Sequence, residues 1–337
     1  MHRQEHKLVW IGRFPESVWP GTLRLLQYIV SVSFDEPARH KSTYAPADER
    51  RLMRPSRPVP VSVVVIAKNE QANIERCVLA LSWSDDVVVV DDYSTDDTKE
   101  LAEASGARVV RHRFASFAQQ RNWAMEHADL KHEWVLHLDA DEVTTPEMWK
   151  ELDGALAAGA QNTVAFRICR KTMMNGTWLR YADGFPVWIM RLVRNGFAAF
   201  EDQGHGEKAI PETDGVVGTI QTPLLHFAFS RGMAEWVSRH DRYSTLEAEL
   251  ESGDRVSVPW KQLPRGDRAA RRQALRSLSR RLPFRPVLRF GYHFVLKRGF
   301  LDGSSGWQFS RMMATYERGI VRKRKETARA TRSRGGA

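Results

Sequence analysis

Cysteine is almost missing: Cys77 and Cys169 are the only two in 337 residues. So small a count excludes a disulfide scaffold, and the spacing excludes a CxxC metal site. Both fit a reducing compartment. Long apolar runs are also missing. Spanning a bilayer takes ~20 mostly apolar residues. The best N-terminal stretch, Thr22 to Phe34, is shorter and is interrupted by Arg24 and Gln27. The opening MHRQEHKLVWIGRF has no apolar core before a small-residue cleavage site, so no secretory leader is expected. The expected location is the cytoplasm. Internal repeats are absent too. What is present, 42% hydrophobic and 27% charged residues, describes a globular chain and excludes global disorder or a collagen-like sequence. At ~100–200 residues per domain, the length suggests one large domain or two smaller ones.

The net charge of +10 hides an asymmetry. Residues 1–254 hold 29 Lys and Arg against 37 Asp and Glu, a net of −8, and residues 255–337 hold 22 against 4, a net of +18. A segment so basic seeks a polyanion. Within it, Arg280, Arg281, Arg285 and Arg289 alternate with Leu282, Phe284, Val287, Leu288, Phe290, Tyr292 and Phe294. Val295 and Leu296 follow, and then Lys297 and Arg298. Basic and aromatic residues mixed in this way suit the interface of an anionic bilayer, which ranks ahead of plain packing and well ahead of nucleic acid. The tail from Val321 onward reads as disordered.

The chain divides at composition shifts. Residues 1–58 form an N-terminal extension that ends in the Pro- and Arg-rich linker RRLMRPSRPVP. Residues 59–254 follow as the main domain, 255–320 as a basic helical region and 321–337 as the tail. In the main domain, β-branched runs at Val61 to Ala67, Val87 to Val90, Ala107 to Val110 and Trp134 to Leu138 predict buried strands. Helical spacing fills the intervals, at Asn73 to Leu81, from a cap at Thr95 or Asp96 to Ser105, and at Phe117 to His127. Strands alternating with helices argue for a parallel α/β sheet whose ligands bind at the carboxyl ends of the strands. Further on, Thr163 to Cys169 and Val187 to Val193 read as strands and Met233 to Glu251 as a helix.

Each of three strand ends carries acid: Lys68-Asn69-Glu70, Asp91-Asp92 with Asp96-Asp97, and Asp139-Ala140-Asp141-Glu142. On one sheet edge they repel one another unless a cation or a hydrogen-bonding ligand joins them. Helix capping accounts for Asp96 and Asp97. It accounts poorly for Asp139 and Asp141, because Pro146 puts the next helix start further on. In extended chain, residues i and i+2 face the same way, so Asp139 and Asp141 converge on one hard divalent ion.

VSVVVIAKNE, VVVVDDYSTDDT, QQRNWA and WVLHLDADE, in this order, resemble a family 2 glycosyltransferase. The likeness is close over roughly residues 60–145. It is looser through PLLHFAFS and FLDGSSGWQFSRMMATYE, segments similar to the bacterial branch that builds lipooligosaccharide core and exopolysaccharide. The resemblance implies a GT-A-type nucleotide-sugar-binding fold with a mostly parallel central sheet, joined here to an N-terminal extension and a basic helical C-terminal region. It implies that Ala67, Lys68, Asn69 and Glu70 with Asp91 or Asp92 hold the nucleoside of a UDP-sugar, and that Arg121 approaches the diphosphate. Asp139 then faces the ribose or a divalent metal (Mn²⁺ or Mg²⁺), Asp141 ligates that metal, and His226 is the matching candidate to complete its site.

The implied chemistry is direct, inverting displacement at the anomeric carbon. The metal neutralises the departing diphosphate and a carboxylate deprotonates the acceptor hydroxyl. Glu207 leads the candidates for that base because it falls in the family position, and Asp202 follows; His205-Gly206-Glu207 stands where related sequences carry an adjacent His-Glu pair, which leaves the choice between them open. The acceptor would be a glycan or lipid-linked precursor at the inner leaflet. Two other readings stand beside this one. A nucleotidyltransferase is disfavoured because KNEQAN has no glycine to cradle phosphates. A non-catalytic membrane or nucleic-acid adaptor leaves the clustered carboxylates unexplained.

Overall fold

The computed structural model describes residues 55–159, 162–203, 206–253 and 282–334. Nearly all of the N-terminal extension, His205 and the basic stretch through Arg281 lie outside the described residues.

The sheet begins as expected. Strands β1 (Val61–Ala67), β2 (Val87–Asp91), β3 (Arg108–Arg111) and β4 (Trp134–Asp139) run parallel in the order β3-β2-β1-β4. All seven residues of β1 are buried. Alternation sends Val61, Val63 and Val65 to one face, against helices α1 (Ile74–Leu79), α2 (Thr98–Ala104) and the later α4 (Pro146–Ala157). Val64 and Ile66 go to the other, against α3 (Phe117–His127). Ser116 starts α3 by accepting the Gln119 N–H at 3.2 Å, and Thr145 caps α4 in the same way with Pro146 in the first turn. The start of α2 differs from expectation. Asp97 occupies the capping position without a side-chain bond, while Asp96 accepts the Thr98 N–H at 3.2 Å.

Beyond β4 the sheet turns mixed. Next come β5 (Glu142–Val143), β6 (Thr163–Met174), β7 (Thr177–Trp178), β8 (Val187–Arg194) and β11 (Val216–His226). The order continues β4-β8-β6-β11-β5, with β8 antiparallel to both its neighbours and β11 parallel to β6. A separate hairpin, β9 (Ala198–Gln203) with β10 (Gly206–Pro211), covers the α3 side.

The C-terminal part comprises α5 (Met233–Gly253), α6 (Arg285–Gly291), a π-helical turn (Tyr292–Leu296), a 3₁₀ turn (Gly299–Asp302) and α7 (Gly303–Arg334). Trp236, Phe309 and Met312 of α5 and α7 close a core with Met174, Leu179 and Ala182. Beside it, the buried Arg285 pairs with Glu251 at 2.8 Å and with Glu317. The residues from Val321 to Arg334, expected to be disordered, are the last turns of α7. At the start of these turns Lys323 meets Asp241 at 2.8 Å and Arg324 meets Glu251 at 3.1 Å. No helix among the described residues is long and apolar enough to cross a membrane.

Candidate active site

Register puts the three acidic strand ends on one edge. Ala67 pairs with Asp91 on one side of β1, and Ile66 pairs with Asp139 on the other. The two halves of Asp139-Ala140-Asp141 then part company.

Asp139 closes β4 inside a ring of alternating charge. Its Oδ1 accepts from Arg121 of α3 at 2.6 Å, and its Oδ2 accepts from Arg191 of β8 at 3.0 Å. The same arginines converge on Oε1 of Glu207 in β10, Arg121 through Nε at 3.2 Å and Arg191 at 2.7 Å. Burial pushes the Asp139 carboxyl up, but Arg191 and Arg121 outweigh it and hold it well below the usual carboxylate range. Beneath the ring lies Glu142, fully buried, whose Oε2 accepts the Asp139 N–H at 3.0 Å. Burial, and then the Asp139 charge, push the Glu142 carboxyl up.

In this ring Arg121 is 0% exposed and bound to two carboxylates. Both oxygens of Asp139 accept from guanidinium groups.

Asp141 faces a different environment. Its Oδ1 lies 3.6 Å from Nε2 of His226, at the end of β11. Backbone bonding fixes the pair, because the Phe227 N–H donates to the Asp141 carbonyl at 2.8 Å and His226 stands in register with Glu142 and Thr172. Burial opposes ionisation of Asp141, yet His226 outweighs it and holds the carboxyl below its ordinary value. The His226 Nδ1 is buried without a hydrogen-bond partner. A carboxylate oxygen and an imidazole nitrogen at one point are donors that a first-row divalent ion such as Mn²⁺ accepts, whereas Mg²⁺ prefers oxygen alone. No group of three His, Cys, Asp or Glu among the described residues is arranged to hold a metal. An ion here would therefore take Asp141 and His226 from the protein and its remaining oxygens from substrate phosphates and water.

The rest of the edge is shaped by the turn after β1. Asn69 has φ +52° and is fixed on both sides: its N–H donates to Ser94 Oγ, and its Oδ1 accepts the Thr95 N–H at 2.9 Å. Both Asp91 oxygens accept the Ser94 N–H, so this buried carboxylate shapes the turn. Asp92 sits further out, pairing with Lys68 at 3.2 Å and accepting the Phe114 N–H at 3.1 Å. Burial pushes the Glu70 carboxyl up to about 7, against the opposing Asn73 hydrogen bond and the Arg231 charge. Arg231 reaches Glu70 at 3.2 Å and the Asn69 carbonyl at 3.1 Å. Asp202 stands opposite Glu207 in the β9–β10 hairpin and is exposed, its Oδ1 accepting the Ala118 N–H at 3.4 Å.

Arg191 and Arg231 were not among the residues the sequence singled out, and Glu142 entered only as part of the acidic run after β4. Arg191 had a signal: a charge inside the apolar strand VWIMRLVR demands a buried partner.

A glycosyl transferase family 2 profile matches residues 62–207. The lipopolysaccharide core biosynthesis glycosyltransferase LpsC of Rhizobium meliloti is 30% identical over 206 residues, 58% of this chain and 74% of that relative. An uncharacterized glycosyltransferase of Rickettsia typhi is 33% identical over 142 residues, 42% of this chain and 48% of its own length. Among solved structures, glucosyl-3-phosphoglycerate synthase from Mycobacterium tuberculosis, in complex with Mn²⁺, UDP-glucose and phosphoglyceric acid, is 26% identical. It superposes with a TM-score of 0.30 over 40% of this chain and 50% of that one. The protein is an enzyme of the glycosyltransferase class. It belongs to glycosyl transferase family 2.

Proposed function

We propose that the protein transfers a sugar, with inversion, from a UDP-sugar to a glycan or lipid-linked precursor of a bacterial surface polysaccharide, at the inner face of the membrane. One observation carries the reading: Asp141 and His226 meet at the sheet edge beside a carboxylate, Asp139, already neutralised by two arginines. That pair suits a divalent ion bound together with a diphosphate. The ion, when bound, would supply positive charge to the departing UDP. Ala67 to Glu70 and Asp92 would line the nucleoside, with Asp91 and Asn69 holding the turn. Glu207 would take the acceptor proton on Oε2 while Arg121 and Arg191 anchor Oε1. The name of the rhizobial relative makes a lipopolysaccharide precursor the proposed acceptor class, and the basic C-terminal quarter favours an acceptor held at an anionic membrane.

The test is calorimetric titration of the full chain with UDP, GDP, CMP and ADP, with and without Mn²⁺. Selective Mn²⁺-dependent UDP binding, lost in Asp141→Ala and in His226→Ala, is the expected result. Binding that ignores both the ion and these variants would overturn the reading. Turnover then separates the bases: Glu207→Gln should abolish it and Asp202→Asn should spare it, and the reverse pattern would make Asp202 the base.

A further inference from the structure

Most of the large apolar side chains of the C-terminal segment 284–301 face outward. Phe284 is 78% exposed, Leu296 74%, Val295 63%, Val287 60% and Leu301 54%. Phe284 immediately precedes α6, and the others, with the exposed Phe300, lie on α6, the π-helical turn and the 3₁₀ turn. Soluble surfaces scatter apolar side chains singly, and a cluster this dense marks a contact surface. Arg298 is exposed within the same stretch, and Lys297 is half-buried beside it.

The underside of this segment is firmly held. His293 Nδ1 bonds the Ala182 carbonyl at 2.8 Å. The Asp302 carboxylate accepts the backbone N–H of Arg180, Tyr181 and Ala182, at 3.2, 3.0 and 2.7 Å respectively. A Cβ on Gly306 of α7 would lie 1.9 Å from the Gly299 carbonyl oxygen, so those two backbones are in direct contact. The apolar residues are thus presented on a rigid base.

We propose that this apolar face inserts into the interfacial layer of an anionic bilayer, with Lys297 and Arg298 on the lipid headgroups. The proposal rests on the membrane-face reading above and assigns the residues that enter the lipid. Charge selects this occupant. Two copies meeting through the face would bring like cationic surfaces together, which opposes self-association. A negatively charged headgroup layer over hydrocarbon complements both halves of the surface. The base links the face to the site as well. Ala182 and Asp183 belong to the same loop, Asp183 accepts from Thr172 Oγ1 at 2.5 Å, and Thr172 stands in register beside His226.

The experiment is sedimentation of the full chain with vesicles of phosphatidylcholine alone or mixed with phosphatidylglycerol. The comparison is wild type against the double variant Phe284→Ser with Leu296→Ser, with Mn²⁺-dependent UDP binding as a check on folding. The expected result is binding to the anionic vesicles that falls roughly tenfold or more in the double variant, while UDP binding is kept. Equal vesicle binding by wild type and variant would overturn insertion and leave a purely electrostatic membrane contact. No vesicle binding by wild type would overturn the membrane-face reading along with it. A vesicle-free dimer that dissociates in the double variant would assign the face to a second copy instead and overturn the proposal.

Discussion

Asp139 and Asp141 are two residues apart on one strand end, yet their surroundings are opposite. Asp139 belongs to a closed electrostatic unit, with both oxygens on guanidinium groups that also hold Glu207. Asp141 has one imidazole at 3.6 Å, whose other nitrogen has no partner. The closed unit is paired within itself, and the open pair is the one proposed above to take the metal. An alternating-charge cluster is costly to break from one side, because the remaining charge stays buried and uncompensated. An open carboxylate–imidazole pair can lose a member with little structural cost, so its removal is read in chemistry.

The largest expected effects test this contrast directly. Arg191→Ala should destabilise the fold by about 3–5 kcal/mol, since Asp139 and Glu207 lose a shared partner; urea unfolding followed by circular dichroism measures it. An unchanged midpoint would mean that the ring does not carry the edge. Asp141→Ala should leave that midpoint within about 1 kcal/mol and reduce turnover about 10³-fold, or roughly 4 kcal/mol of barrier. A loss of stability as large as that of Arg191→Ala would erase the distinction between the two carboxylates.

Next in size is a pH effect in the metal-free protein. The Glu70 carboxyl is raised to about 7 from its ordinary 4.5, chiefly by burial. The folded state therefore holds this proton more tightly than the unfolded chain. The stabilisation is fully present below about pH 4.5 and is lost as pH rises through about 7, on the order of 3 kcal/mol at most. Glu70→Gln should flatten that part of the stability–pH profile. A wild-type profile that rises across the interval would contradict the assignment. The smallest effect belongs to the C-terminal helix. Lys323→Ala removes a pair with the exposed Asp241 and should cost less than about 1 kcal/mol, shown by a shift of a degree or two in thermal unfolding.

The sequence was most readable where burial on both faces of a strand left no choice of residue. VSVVVIA and WVLHL allow little besides a central strand, and the acids that follow them mark the edge by their cost. The partners of those acids were much less readable. Arg191 lies 52 positions from Asp139 and Glu207 lies 86 from Arg121, and single-sequence patterning carries no information about such pairings. The β9–β10 hairpin was legible only as an acidic segment, because its inner residues pack on α3 and not on the main sheet. The last turns of α7 read as disordered because their charge excess was visible while the acids of α5 that pair with it were distant in sequence.

Joining β5 to β11 has a consequence for how the enzyme comes into being. As the chain emerges from synthesis, the parallel strands through β4 can find one another early, since each is separated from the next by one short helix. Asp141 is already present at that stage, but its partner arrives 85 residues later in the strand that ends at His226. The family profile ends at residue 207, before that strand. A fragment cut there would keep the turn after β1 and the residues of the arginine ring and would lack half of the proposed metal pair. Completing the catalytic edge is therefore a late, long-range event, and a nascent chain cannot engage a metal-bound donor through this pair until that last strand has docked.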